Sequence, residues 1–73
     1  MQIVTIRLDT GLVSYPFEMR GIARVYLEKK NPRVDVSKNI VAYNKTATPY
    51  EEECATENAN IINSYFNIHP SLI

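Results

Sequence analysis

The sequence predicts an α+β domain: a small antiparallel sheet built from β-hairpins, with two helices, the long C-terminal one packed on one face. Three observations carry this reading. Residues Gln2 to Leu8 alternate in the manner of a strand, Thr48 to about Asn67 repeats apolar residues at helical spacing behind a capping signal, and turn signals divide the chain between them into short segments. Runs of strands and helices in this order favour an antiparallel sheet with helices on one face. The 73 residues are enough for one domain spanning 1–73 and for no second.

In the first segment Val4, Ile6 and Leu8 lie on one side and Ile3, Thr5 and Arg7 on the other, and the β-branched content supports a strand. Asp9-Thr10-Gly11 is a turn signal, because glycine accepts the positive φ of a tight reversal. Leu12 to Ser14 pairs back as a short second strand. Pro16 to Lys30 carries two patterns. Met19, Ile22, Ala23, Tyr26 and Leu27 recur at helical spacing, with Pro16 fitting a first turn and Lys29 and Lys30 a last one. Ala23, Val25 and Leu27 also alternate like a strand, and Gly21 weakens a helix by roughly 1 kcal/mol relative to alanine. The stop signal Asn31-Pro32 favours the helix. Arg33 to Val36 and Ile40 to Tyr43 read as two short strands joined by the loop Ser37-Lys38-Asn39.

The strongest local signal follows. Thr48 suits an N-cap, Pro49 the first helical position and Glu51 the third, which is a capping box. Glu51, Glu52 and Glu53 also place negative charge at the positive end of the helix dipole. At helical spacing Tyr50, Cys54, Ala55, Ala59, Ile61, Ile62, Tyr65 and Phe66 form an apolar half, opposite Glu53, Thr56, Glu57, Asn60, Asn63, Ser64 and Asn67. His69-Pro70 ends the helix, and Ile68, Leu72 and Ile73 read as a hydrophobic tail that folds back.

Composition narrows the function. At 45% hydrophobic and 22% charged residues the chain belongs with folded rather than disordered proteins. One cysteine excludes an internal disulfide. The N-terminal residues lack the basic start and apolar run of a secretory signal, no stretch approaches the roughly 20 apolar residues of a membrane span, and a reducing cytoplasmic compartment fits best, that of a host cell if the protein is viral. The sequon Asn44-Lys45-Thr46 is accordingly read as chance. Asn, Ile, Lys and Tyr, whose codons are rich in A and T, point to an AT-rich genome of the kind many bacteria and phages have.

Few residues have the makings of a catalyst. Asp9-Thr10-Gly11 after the apolar run Ile3 to Leu8 resembles the active-site motif of retroviral-type aspartic proteases. That resemblance implies a homodimer in which two aspartates share a proton. Leu12 and Val13 follow where that family carries a small residue, and the C-terminal helix takes up residues that such a barrel needs as strands; the string is read as a hairpin turn. Cys54 belongs to the apolar helix face, where a thiol behaves as a small buried hydrophobe, and His69 to the terminal segment. One cysteine and one histidine do not furnish a tetrahedral metal site, and two glycines do not make a phosphate loop. The expectation is a protein without enzymatic activity, metal or cofactor.

Charge is the remaining clue. The chain is neutral, but its eight Lys and Arg residues all lie between Arg7 and Lys45, with four acids among them, while the sequence from Thr46 onward holds four glutamates and no base. Either the two halves attract each other within one fold, or one charged face meets a partner. Two surfaces follow as candidates. Glu52, Glu53, Glu57 and Asn60 form an acidic helix face for a basic protein surface. Arg20, Arg24, Lys29, Lys30 and Arg33 form a basic stripe, with Tyr15, Tyr26 or Tyr43 for stacking on nucleic acid. The leading expectation is a small non-enzymatic interaction module, an accessory or inhibitor protein of a phage or mobile element that occludes a site on a larger host protein. The alternative is a small nucleic-acid-binding regulator that uses the basic first half. Self-association into a homo-oligomer would add stability to so small a core.

Overall fold

The computed structural model describes residues 1–68, so the expected His69-Pro70 stop and the Leu72 and Ile73 tail lie outside the described residues. Strand β1 (Ile3–Leu8) is central and pairs antiparallel on one side with β2 (Gly11–Pro16) and on the other with β3 (Ile40–Asn44). Between β2 and β3 lies helix α1 (Arg20–Lys30), and helix α2 (Pro49–Ile68) follows β3. The α+β class, the antiparallel sheet and the long C-terminal helix packed against it all agree with the sequence.

The β1–β2 hairpin is the local element of the sheet. Leu8 pairs with Gly11, so Asp9 and Thr10 form the two-residue connection that the turn signal predicts, and Gly11 takes φ +127°. The second strand is longer than expected and runs to Pro16. Pro16 therefore ends a strand instead of opening a helix: the Phe17 amide donates to the Gln2 carbonyl at 3.0 Å, which leaves the proline nitrogen turned away from β1, where no donor is required. A single 3₁₀ turn, Phe17–Met19, then leads into α1. Asn31 closes α1, with its backbone and side-chain nitrogens both donating to the Leu27 carbonyl.

The expected second hairpin does not form. Arg33 and Val34 belong to a turn closed by the Val34 amide, which donates to the Asn31 carbonyl. Val36–Lys38 is a 3₁₀ turn capped by Asp35, whose carboxylate accepts from the Ser37 amide at 3.1 Å. Val36 is buried in the core instead of pairing with Ile40–Tyr43. Those residues belong to β3, whose partner is β1: Ile3 faces Asn44, Thr5 faces Ala42 and Ile6 faces Ile40, leaving Val41 as a bulge. The pattern of β-type residues was right for β3, but its pairing is with the distant central strand.

The pleat of β1 divides its side chains between two environments. Val4 and Ile6, with Tyr15 beside Val4, enter the main core together with Ala23 and Leu27 of α1, Val36, and Ile62 and Phe66 of α2. Ile3 and Thr5 point the other way and are buried as well. The first half of α2 borders this second face. The Asn44 side chain donates to Glu51, and Thr5 and Ser14 share a groove with Cys54 and Asn58. Asn58 then donates to the outward carbonyl of Ser14 at 2.7 Å, satisfying an edge-strand acceptor, and further along the helix Tyr65 meets Tyr26 of α1 edge to face at 5.1 Å.

The buried stripe of α2 is narrower than its apolar half. Ala55, Ile62 and Phe66 are buried, but Tyr50 is 75% and Ile61 47% exposed, and Cys54 is only half-buried. Ile68, expected to start a tail that folds back, instead ends α2 and is exposed. A three-stranded sheet covers one side of a 20-residue helix incompletely. The apolar residues on the far flank of the stripe are left at the surface.

Candidate functional site

The predicted capping box is present atom for atom. The Thr48 amide donates to Glu51 Oε1 at 2.9 Å, and the Glu51 amide donates to Thr48 Oγ1 at 3.2 Å. Hydrogen bonding to its carboxylate, first from the Thr48 backbone amide and then from the Thr48 side chain, holds the Glu51 carboxyl below its ordinary 4.5. Glu51 is thereby committed to the start of the helix. The neighbouring acids differ.

Glu52, Glu53, Glu57 and Asn60 come together on one side of α2, where with Pro49 and Thr56 they line a single shallow surface. Glu52 accepts from the Met1 amino group at 3.0 Å. Glu53 and Glu57 make no ion pair among the described residues: the pairs there are Met1–Glu52 and Arg24–Glu28. No Lys or Arg side chain among them pairs with a glutamate of α2. The charge polarity seen in the sequence is thus not consumed in side-chain pairs between the two halves.

Glu57 also borders a second feature. Leu12, Val13, Tyr50 and Cys54, with Thr5, Ser14 and Asn58 behind them, line an open groove of about 500 Å³ between α2 and β2. Leu12 is 66% exposed. The outer side of α2 thus presents acidic groups next to a groove of mixed polar and apolar lining that includes the exposed Leu12 and Tyr50. Apolar contact area rimmed by charge is the common anatomy of a protein-binding surface. The sequence carried a sign of this groove in the width of the helix's apolar half, which exceeds what so small a sheet covers.

The basic residues are dispersed and partly engaged. Arg20 donates to the Phe17 carbonyl at 3.1 Å and stacks over the Phe17 ring at 4.2 Å. Arg24 donates from Nε to Glu28 at 3.3 Å. Lys30 lies over Tyr65 and Tyr26, at 5.3 and 5.9 Å from their ring centroids. Lys29 sits with Val25 and Pro32, and Arg33 with Asp9 and Asn31. Arg20 and Arg24 share a groove with Tyr15 and Tyr43, which the other three do not line. Of the stacking candidates, Tyr15 is buried in the core and Tyr26 packs on Tyr65, while Tyr43 is exposed.

Among the described residues no cluster of three or more His, Cys, Asp or Glu side chains is placed to hold a metal ion, and no helix is long and apolar enough to cross a membrane. Asp9 stands in the β1–β2 connection, apart from Cys54 on α2. Comparison of the chain with protein-family models, with curated proteins and with solved structures finds no match.

Proposed function

We propose that this protein is a non-enzymatic binding module that docks the outer side of α2 onto a basic surface of a larger protein and occludes it. The observation that carries the reading is the contrast between the two charged regions. Glu53 and Glu57 have no ionic partner among the described residues, and Glu57 adjoins the exposed Leu12 and Tyr50, whereas Arg20, Arg24 and Lys30 are each engaged by a neighbouring ring or carboxylate. Docking would replace hydration of the free glutamates with charge-assisted hydrogen bonds and remove Leu12 and Tyr50 from water. Glu52, Glu53, Glu57 and Asn60 would set orientation and association rate, and the groove would supply most of the affinity. A composition that suggests AT-rich coding agrees with an accessory protein of a phage or mobile element.

The test is affinity capture from a lysate of the source cells, with three forms of the tagged chain. The wild type is expected to retain one stoichiometric protein, insensitive to nuclease, and Glu53→Lys with Glu57→Lys is expected to lose it. Arg20→Glu with Arg24→Glu is expected to keep it. Retention of nucleic acid that is released by salt, and lost in the arginine variant alone, would replace this reading with nucleic-acid binding through the basic half.

A further inference from the structure

A second groove has a different chemistry. It holds about 340 Å³ between α1, the 3₁₀ turn Val36–Lys38 and β3, near the small end of the range for ligand sites. Tyr15, Val36 and Ile40 give it apolar walls, and Arg20, Arg24 and Tyr43 bring polar groups to it. Gly21 also lines it, and a Cβ built there meets nothing within 4 Å, so the approach is open.

We infer that this groove binds a single-ring aromatic anion, an aryl phosphate or aryl carboxylate, with the ring against Ile40 and the anionic group on Arg20 and Arg24. Both guanidiniums are fixed without being used up. Arg20 commits one Nη to the Phe17 carbonyl while its Cζ lies over the Phe17 ring, 4.2 Å from the centroid, and Arg24 commits Nε to Glu28. Each guanidinium has five N–H donors, so both keep donors for an oxyanion, and their anchoring lowers the entropy cost of binding. Tyr15 supplies the second observation. It is only 2% exposed, its hydroxyl has no hydrogen-bond partner among the described residues, and no buried side-chain oxygen there lacks one. The ring is therefore enclosed while the hydroxyl reaches the groove surface, where it is available to a ligand oxygen. The volume suits one ring with one anionic group, and two guanidiniums against a single carboxylate, Glu28, leave the arginine pair net positive.

The full chain, labelled with nitrogen-15, is titrated with phenyl phosphate and followed by amide chemical shifts. Saturable shifts are expected at Gly21, Ser37 and Tyr43, with inorganic phosphate and phenol each binding about tenfold more weakly. Arg24→Gln is expected to weaken phenyl phosphate about tenfold and to abolish its advantage over phenol. Arg24→Lys keeps the charge and serves if the glutamine variant unfolds; its expected loss is smaller but in the same direction. Lys29→Gln, which lies outside the groove, is expected to bind as the wild type does. Absence of saturation, equal binding of phenol and phenyl phosphate, or an equal loss in Lys29→Gln would overturn the assignment. Capture of a protein through α2 is read separately, because none of these substitutions touches that face.

Discussion

Gly11 and Gly21 are the chain's two glycines, and they place opposite demands on a substitution. Gly11 returns the β1–β2 connection into β2 at φ +127°, a conformation that a Cβ strains even though the space around it is open. Gly11→Ala is expected to destabilise the fold by about 1–2 kcal/mol. Gly21 lies near the start of α1 with ordinary helical backbone, and nothing lies within 4 Å of an added Cβ. Gly21→Ala is expected to stabilise by about 0.5–1 kcal/mol, since alanine loses less backbone entropy on entering a helix. Urea unfolding of the two variants beside the wild type measures both. Midpoints that move in the same direction would mean that one of the two backbone conformations is not as described.

At the scale of the element, the start of α2 offers a test with a pH signature. Thr48→Ala removes the hydroxyl that accepts from the Glu51 amide, and a loss of about 1 kcal/mol is expected. The Glu51 carboxyl is held below 4.5 in the folded chain, mainly by the Thr48 backbone amide. A depressed carboxylate contributes stability in full above the unfolded value, and that contribution fades as pH falls from there through the folded value. The stability gap between wild type and Glu51→Gln is therefore expected to be constant near neutrality and to shrink on acidification below 4.5. A gap that widened in acid would contradict the cap. This helix start was legible because its bonds span three residues, as were the Asp9-Thr10-Gly11 turn and the Asn31 stop. The pairing of β3 was not: Ile40 to Asn44 carries the residue types of a strand, but its partner is Ile3 to Ile6, far upstream. The exposed flank of α2 was legible only in part, as an apolar half wider than so small a sheet covers. Periodicity groups Tyr50 and Ile61 with Ile62 and Phe66, and only the width of the sheet decides which of them it covers. The acidic cluster was legible because one helix holds it. The groove around Tyr15 was not, since it joins residues of α1, all three strands and the turn at Ser37.

Across the whole molecule, the segregated charges pose a question about what they hold together. The described fold measures 34 × 24 × 18 Å, and among the described residues no Lys or Arg side chain is within ion-pair distance of α2's glutamates. The Debye length at about 0.1 M salt is roughly 10 Å, so charges on opposite sides of such a body are largely screened from each other. The buried residues of the core and the backbone pairing carry the fold, with the attraction between its halves adding little. Unfolding free energy is therefore expected to change by less than about 1 kcal/mol between roughly 0.05 and 0.5 M sodium chloride. Contact between the free glutamates and a basic partner surface is a different matter. There the charges meet directly, association is steered by them, and capture of the partner is expected to weaken over the same range. The two dependences can be measured side by side, by denaturant unfolding and by retention on the immobilised chain. A fold that lost several kcal/mol with salt would show that the acidic helix is held by the basic half. Its glutamates would then be part of the scaffold, leaving no free charge with which to dock.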